Sequence, residues 1–444
     1  MNKNVKRIIF VLLAVIIVIS FSALTVFADE KKPEKNNNIG VFNNKSDMLV
    51  FNYKIENSEA IITFCDRDAK GDIVVPETIN GYPVTTIGEN AFAGCSKLTS
   101  ISIPDSIKVI ENGAFSGCDG ITEFTIPGNI KTIGESAFWS CSNLENVVIK
   151  NGVEYISGNT FGFCTSLKSI KLPDSITLIG YSAFSMCSKL KEVSLSKSLV
   201  TIEKSAFERC IGLDNVIIPE GVTIIPERAF YECSALKNVK LPKSLTTIGS
   251  SAFCETSIKN IELPSGLKII GSSAFYATPL EEIVIPYGVT AINGSAFRNC
   301  ENLAYVEIPE TVELIDSYAF YGSRKMTSIN IPASVKKMSY MSVGYNNEIH
   351  PIGLFTIYGT KGSEAEQYAN DHRIMFVDYN DSSALYDVDG DGNVTAADAR
   401  MALRCAAKLG GLTGRYFFAA DVNKDGKITA ADARKILRKA AKLE

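Results

Sequence analysis

The sequence predicts an α/β repeat: a right-handed, β-rich solenoid with short helical corners, followed by a small all-α domain with two calcium loops. Three observations carry this reading. A Phe column recurs every 22–23 residues at Phe92, Phe115, Phe138, Phe161, Phe184, Phe207, Phe230, Phe253, Phe275, Phe297 and Phe320. Apolar residues alternate at strand spacing between successive Phe residues. The last 58 residues carry the same Asp-rich loop twice, 34 residues apart.

One unit of the array reads Leu98-x-x-Ile101-x-Ile103-Pro104-x-x-Ile107-x-x-Ile110-x-x-x-Ala114-Phe115-x-x-Cys118. A turn of about 23 residues is too short to bury its own core, so the turns must stack. Leu98, Ile101 and Ile103 point inward and Ser102 outward, as a strand requires. Pro104 ends the strand, since it has no N–H to give a ladder. Ile107 and Ile110 return along the next face. The Ala-Phe pair turns the corner, with the rings as an internal spine; Ala precedes Phe in every copy except at Thr160, and Val343 fills the next slot. This pattern resembles the BspA-like leucine-rich repeats of bacterial surface proteins over 46–378, about 12 repeats of 22–23 residues. The resemblance implies a first repeat around Val75–Gly88 and a closing cap from Thr356 to Val377, which shield the ends of the solenoid.

Eight of the eleven cysteines lie three residues after a column Phe: Cys95, Cys118, Cys141, Cys164, Cys187, Cys210, Cys233 and Cys300. Disulfides are the first thought for a secreted chain. The same slot is Thr256, Thr278 or Ser323 elsewhere, so a small buried group suffices. Side chains stacked in one column also point the same way, which opposes disulfide geometry. The column is therefore expected to hold buried free thiols.

The first calcium loop places Asp387, Asp389, Asp391, Asn393, Thr395 and Asp398 at positions one, three, five, seven, nine and twelve; the second places Asp421, Asn423, Asp425, Lys427, Thr429 and Asp432 there. Calcium is a hard cation that takes six to eight oxygens from such a turn. Gly392 and Gly426 stand where the backbone turns sharply, and Asn393 and Lys427 would offer their carbonyls. Each loop runs into a helix, and the two copies match almost residue for residue. With Asp at position twelve and no helix before the first loop, the pair resembles a type I dockerin over 387–444. The resemblance implies two Ca2+ ions and a partner, the cohesin domain of a scaffoldin. It carries cohesin contact onto Ala396, Ala397, Leu403, Arg404 and Lys408 in the first copy and Ala430, Ala431, Leu437, Arg438 and Lys442 in the second. The recurrence of the same types in the same order implies a plug with two equivalent faces.

The chain begins with Lys3, Lys6 and Arg7 before an apolar run from Ile8 to Phe27, and Val26-Phe27-Ala28 offers a cleavage site. Residues 1–28 thus read as a secretory signal peptide, or as a membrane anchor if uncleaved. Their removal leaves 42 basic against 49 acidic side chains, which opposes nucleic acid as a partner. Residues 29–45 are expected to be a disordered linker and 379–386 a second linker. The expected location is extracellular: secreted, cell-surface or cellulosome-associated.

No catalytic motif appears. There are two histidines, His350 and His372, and no metalloprotease, nucleophile-elbow, Walker or dinucleotide-binding pattern. Acid pairs such as Glu281-Glu282 fall in slots whose charge varies freely. Binding is better supported. The outward strand slot varies, with Ser102, Thr125, Val148, Lys171, Ser194, Ile217, Lys240, Glu262, Val284, Glu307 and Asn330 displayed on a rigid ladder. The slot after the column Phe holds Trp139, Tyr231, Tyr276 and Tyr321, rings that either stack on sugars or simply cover the corners, the latter being the plainer reading. The expectation is a non-catalytic binding protein whose solenoid recognises a protein or glycan; the alternatives are a polysaccharide-degrading enzyme with an unrecognised active site and a cell-surface adhesin.

Overall fold

Two parallel ladders and a corner ladder build most turns of the array. The computed structural model describes residues 39–43, 50–346, 351–353, 355–378, 386–388, 393–407, 419–422 and 428–443. The signal segment 1–28 lies outside them. Within the stretch expected to be a disordered linker, Ile39–Asn43 is a strand. The correction has a local cause: Ile39, Val41 and Phe42 are strand-favouring residues inside an otherwise polar stretch.

The first full element is the antiparallel hairpin of Val50–Glu56 with Glu59–Cys65. From it one sheet extends in parallel through Tyr82–Ile87, Val109–Ile110, Thr132–Ile133, Tyr155–Ile156, Leu178–Ile179 and Thr201–Ile202. A second parallel sheet stacks Glu123–Ile126, Asn146–Ile149, Ser169–Lys171, Glu192–Ser194, Asn215–Ile217 and Asn238–Lys240. Register advances by one repeat per strand, as in Ile133↔Ile156 and Val147↔Phe124. The strands alternate buried and exposed residues, so the stacked turns share one continuous core.

Phe stacking fixes the spacing of that core. Neighbouring rings from Phe92 to Phe320 lie 5.1–5.6 Å apart between centroids. All eleven are buried. Offset stacking at this distance is favourable for aromatic pairs. The corners are single turns rather than continuous helices. The bonds from Ser116 N–H to the Gly113 carbonyl (2.9 Å) and from Cys118 N–H to the Phe115 carbonyl (3.2 Å) close them. Left-handed residues then bracket each Ala-Phe pair, as Ser182 (φ 51°) and Met186 (φ 63°) do around Phe184, and they stop the helix from propagating. The column N–H groups donate across to the next repeat, from Phe115 to the Ala137 carbonyl at 2.8 Å and from Phe207 to Ala229 at 2.9 Å.

The thiols add another link. The Sγ of Cys118, Cys141, Cys187, Cys210, Cys233 and Cys300 each donates to the Phe carbonyl of the preceding repeat at 3.1 Å, and Cys164 does so at 3.2 Å. All the described cysteines are free, and burial pushes the thiols of Cys141, Cys187 and Cys300 up to about 12.

At the C-terminal end, strand Thr356–Gly359 pairs with Ser328–Asn330 on one side and Met375–Asp378 on the other. Helix α1, Glu364–His372, buries Ala365, Tyr368 and Ala369 against this end. Beyond it, α2 (Ala396–Ala406) and α3 (Ala430–Ala440) form a separate small core of Val388, Ala399, Ala402, Ala419, Ala420, Val422, Ala433 and Ile436. Among the described residues no helix is long and apolar enough to cross a membrane.

Candidate functional site

The calcium loops begin and end on buried carboxylates. Asp387 and Asp421, at position one, are 3% and 6% exposed, and Asp398 and Asp432, at position twelve, are fully buried. Burying ionised carboxylates is costly without compensating charge or hydrogen bonds. Their hard oxygen donors, presented in a loop of this spacing, fit calcium. Positions three and five, Asp389, Asp391, Asn423 and Asp425, lie outside the described residues, as do Lys427 and Lys408. Among the described residues no set of three potential ligands is gathered.

The helix start accounts for the placement of position twelve. Thr395 caps α2: its side chain accepts from the Ala397 N–H at 3.1 Å and donates to Asp398 Oδ2 at 3.1 Å. Asp398 Oδ2 also accepts the Thr395 N–H at 2.7 Å. The second copy repeats this box with 3.2, 2.8 and 2.9 Å. One carboxylate oxygen thus anchors the first turn, where negative charge also suits the helix dipole. The loop spacing marks Thr395 and Thr429 only as position-nine ligands and does not reveal the cap. The signal was present as Thr-x-x-Asp directly before a helical run.

The residues expected to meet a cohesin share one outward face. Ala396, Ala397, Leu403 and Arg404 are exposed on α2, and Ala430, Ala431, Leu437 and Arg438 on α3, with exposed Lys442 just beyond. The inner faces carry Ala399 with Ala402 and Ala433 with Ile436. Leu403 and Leu437 are 51% and 50% exposed, so the two copies present equivalent surfaces. Leucine left half in water on both helices stands out, because the other large aliphatic side chain of α3, Ile436, is fully buried.

On the solenoid the outward strand slots are exposed except Asn330, which is half-buried, and Val148, Ile217 and Val284 are more than half exposed. A shallow groove of about 530 Å3 lies along Glu192, Ser194, Lys197, Ile217 and Glu220. Trp139, Tyr231 and Tyr276 are half-buried and Tyr321 is buried, which fits rings that cover corners. The candidate acid Glu281 faces Lys259 at 3.9 Å. His372 accepts or shares a hydrogen bond with the Tyr345 hydroxyl at 2.7 Å within the cap, and His350 lies outside the described residues.

These features define a stacked leucine-rich repeat array followed by a calcium-loop helix pair. The chain belongs to the BspA-type leucine-rich repeat family, whose repeat region matches in six copies across 72–187, 156–278 and 268–356. A type I dockerin domain matches 385–439. The chain is similar to a leucine-rich repeat protein from Bacteroides ovatus, with 26% identity, a TM-score of 0.60 and coverage of 76% of this chain and all of that one. A leucine-rich cell surface protein from Faecalibacterium prausnitzii is 24% identical over 70% of this chain and 96% of its own, at a TM-score of 0.39. No curated protein matches the chain. Type I dockerins bind calcium and cohesins, and neither family is catalytic.

Proposed function

We propose that this chain is a secreted, non-catalytic binding protein, attached through its dockerin to a scaffoldin cohesin and recognising a protein or glycan with its solenoid. Residues 1–28 are its signal peptide, 46–378 the recognition array and 387–444 the plug. The reading rests most heavily on the duplicated outward face, Ala-Ala followed by Leu-Arg, carried on two equally exposed helices. Each loop takes one Ca2+. Asp387, Asp389, Asp391 and Asp398 with the Asn393 carbonyl hold the first, and Asp421, Asn423, Asp425 and Asp432 with the Lys427 carbonyl hold the second. Thr395 and Thr429 act through water. The ions neutralise buried acids and set the loops, and α2 and α3 present either face to the cohesin.

The test is calorimetry of the full chain against a panel of cohesins. Binding is expected with calcium, to be lost in EDTA, and to be abolished by Asp387→Ala combined with Asp421→Ala. Binding that persists in EDTA would remove the calcium-plug reading.

A further inference from the structure

We infer that the corner around Arg298 is a carboxylate-binding site, and that it takes a largely neutral polysaccharide carrying isolated uronic acid groups. The inference deepens the reading of the solenoid as a recognition surface and gives that surface a site and a ligand class.

Three corner arginines permit a comparison. Arg209 Nε lies 2.9 Å from Glu232, and an Arg228 terminal nitrogen lies 2.7 Å from Glu208. Arg228 also stacks over Tyr231 at 4.2 Å. Both cations are therefore neutralised within the array. Arg298 is stacked too, over Tyr318 at 4.8 Å and Tyr321 at 5.0 Å, but no carboxylate lies within ion-pair distance of it among the described residues. The Nε atoms of all three arginines are buried without a hydrogen bond of good geometry, so what sets Arg298 apart is the missing carboxylate. A guanidinium packed against two rings keeps the planar fork that matches a carboxylate through two N–H groups.

The surroundings are built at a cost. Tyr318 adopts φ 60°, at the left-handed corner slot that Ser, Asn or Gly fills in most repeats. A bulky residue in that region is an outlier that the surrounding structure must hold in place. In return its ring meets both Tyr321 (5.5 Å) and Tyr340 (5.6 Å) edge-on and lies beneath Arg298. On the opposite side Asn299 donates to the Tyr276 hydroxyl at 3.1 Å. Tyr340 is 56% exposed, leaving a ring available to a sugar next to Tyr318.

Charge selects among anionic ligands. Residues 281–340 carry seven acidic and five basic side chains. Two of those bases are already paired, Arg324 with Glu301 and Lys336 with Glu313. A densely charged peptide or polyuronate would meet net repulsion here, whereas a single carboxylate on a neutral chain meets one cation and phenolic rings.

The experiment titrates the full calcium-loaded chain with a xylo-oligosaccharide bearing one glucuronic acid branch, with the same oligosaccharide after carboxyl reduction, and with an Asp/Glu-rich peptide. Binding of the uronate probe is expected to be at least tenfold tighter than that of the reduced probe, with no binding of the peptide. Arg298→Gln should abolish this preference, and Arg298→Lys, which keeps charge but not the stacked fork, should retain only part of it. The carboxyl-reduced probe needs no variant, so misfolding of a substituted chain cannot blur the result. Equal binding of the two oligosaccharides, no binding of the uronate probe or preference for the peptide would each overturn the site. Uronate binding that survives Arg298→Gln also removes this site while leaving the solenoid a recognition surface. Cohesin titration of the same sample reads the attachment function separately.

Discussion

Asp432 carries two duties that one substitution can separate. Its Oδ2 accepts the Thr429 N–H at 2.9 Å and the Thr429 hydroxyl at 2.8 Å, and the group is fully buried. Under the proposed function the same carboxylate closes the second calcium loop. Asp432→Ala removes both hydrogen bonds, the first of which is the cap's reciprocal half. Losing a cap costs about 0.5–2 kcal/mol, and bonds to a charged group lie toward the upper end of hydrogen-bond worth. Taking ~2 kcal/mol, opening of the first turn of α3 becomes roughly 30-fold more frequent. Hydrogen exchange of the full chain in EDTA reads this directly: amides of Ala431 to Ala433 should exchange about 30-fold faster, on that ~2 kcal/mol estimate. Asp432→Asn, which keeps an acceptor, should fall between. Calcium at about a hundredfold over its Kd adds ~2.7 kcal/mol of protection to the native loop and little to the variant. Exchange in EDTA that Asp432→Ala leaves unchanged would refute the box, and so would a native first turn with no protection until calcium is added.

Two further outcomes follow from the solenoid. The ten buried cysteines should resist alkylation at neutral pH and all react once the chain is unfolded without reductant, which mass spectrometry counts. Their pKa shifts set a pH dependence: burial raises Cys187 and Cys300 to about 12, against about 8.5 in an unfolded chain. A raised folded pKa means that this stability is complete below about pH 8.5 and is lost as pH rises toward 12, so the melting temperature should hold to pH 8 and then fall. Phe207→Ala should cost about 3–5 kcal/mol in a urea melt, because its ring stacks on both Phe184 and Phe230 at 5.3 and 5.4 Å. A loss under about 1 kcal/mol would mean that the spine collapses freely around the cavity.

Much of the fold was legible because the core repeats. A column of Phe at fixed spacing specifies stacking, and Leu98, Ile101, Ile107 and Ile110 are all buried as their spacing required. The corners were less legible. Ser182 and Met186 share a left-handed backbone but no side-chain chemistry, so the composition of the slots around Phe184 hides a conformational rule. The acceptor of each thiol was hidden for another reason. Cys233 bonds the carbonyl of Phe207, 26 residues back, and only the stacking brings them together. Asp398 was read as a ligand because calcium spacing is a strong pattern, and that pattern masked the cap written in the same residues. Arg298 occupies a slot that elsewhere holds Ala, Ser, Gly, Trp, Tyr, Glu or Cys, and its lack of an acid is visible only in three dimensions.

The Thr residues in the cysteine column carry more than small size. Phe253, Phe275 and Phe297 are spaced by 22 residues, and both deletions fall at the same place. Regular repeats run Cys-x-x-Leu, as in Cys233 to Leu236, whereas the short ones run Thr256-x-Ile258 and Thr278-x-Leu280. In a regular repeat the Leu236 N–H returns to the Cys233 carbonyl at 2.9 Å and closes that bend. A shortened bend cannot make the same turn. There the Thr hydroxyls reach back to the Phe carbonyl of their own repeat, at 3.0 and 2.9 Å, in place of the link to the preceding one. The outer sheet registers the change: residues 261–264 keep the Ile-x-Leu-Pro pattern yet form no strand, between Asn238–Lys240 and Glu282–Val284. A one-residue offset against a period of two would turn the wrong side chains inward, so breaking the ladder is the less costly solution. The Phe stack passes through undisturbed at 5.6 and 5.5 Å, as does the corner bond from Phe253 N–H to the Ala274 carbonyl at 2.8 Å. The spine, the corner ladder and the inner ladder, where Thr247–Ile248 pairs with Ile269–Ile270, therefore hold the solenoid together across this stretch, which frees the outer surface to vary without loss of the core. Arg298 and its tyrosines stand in the repeats immediately beyond it.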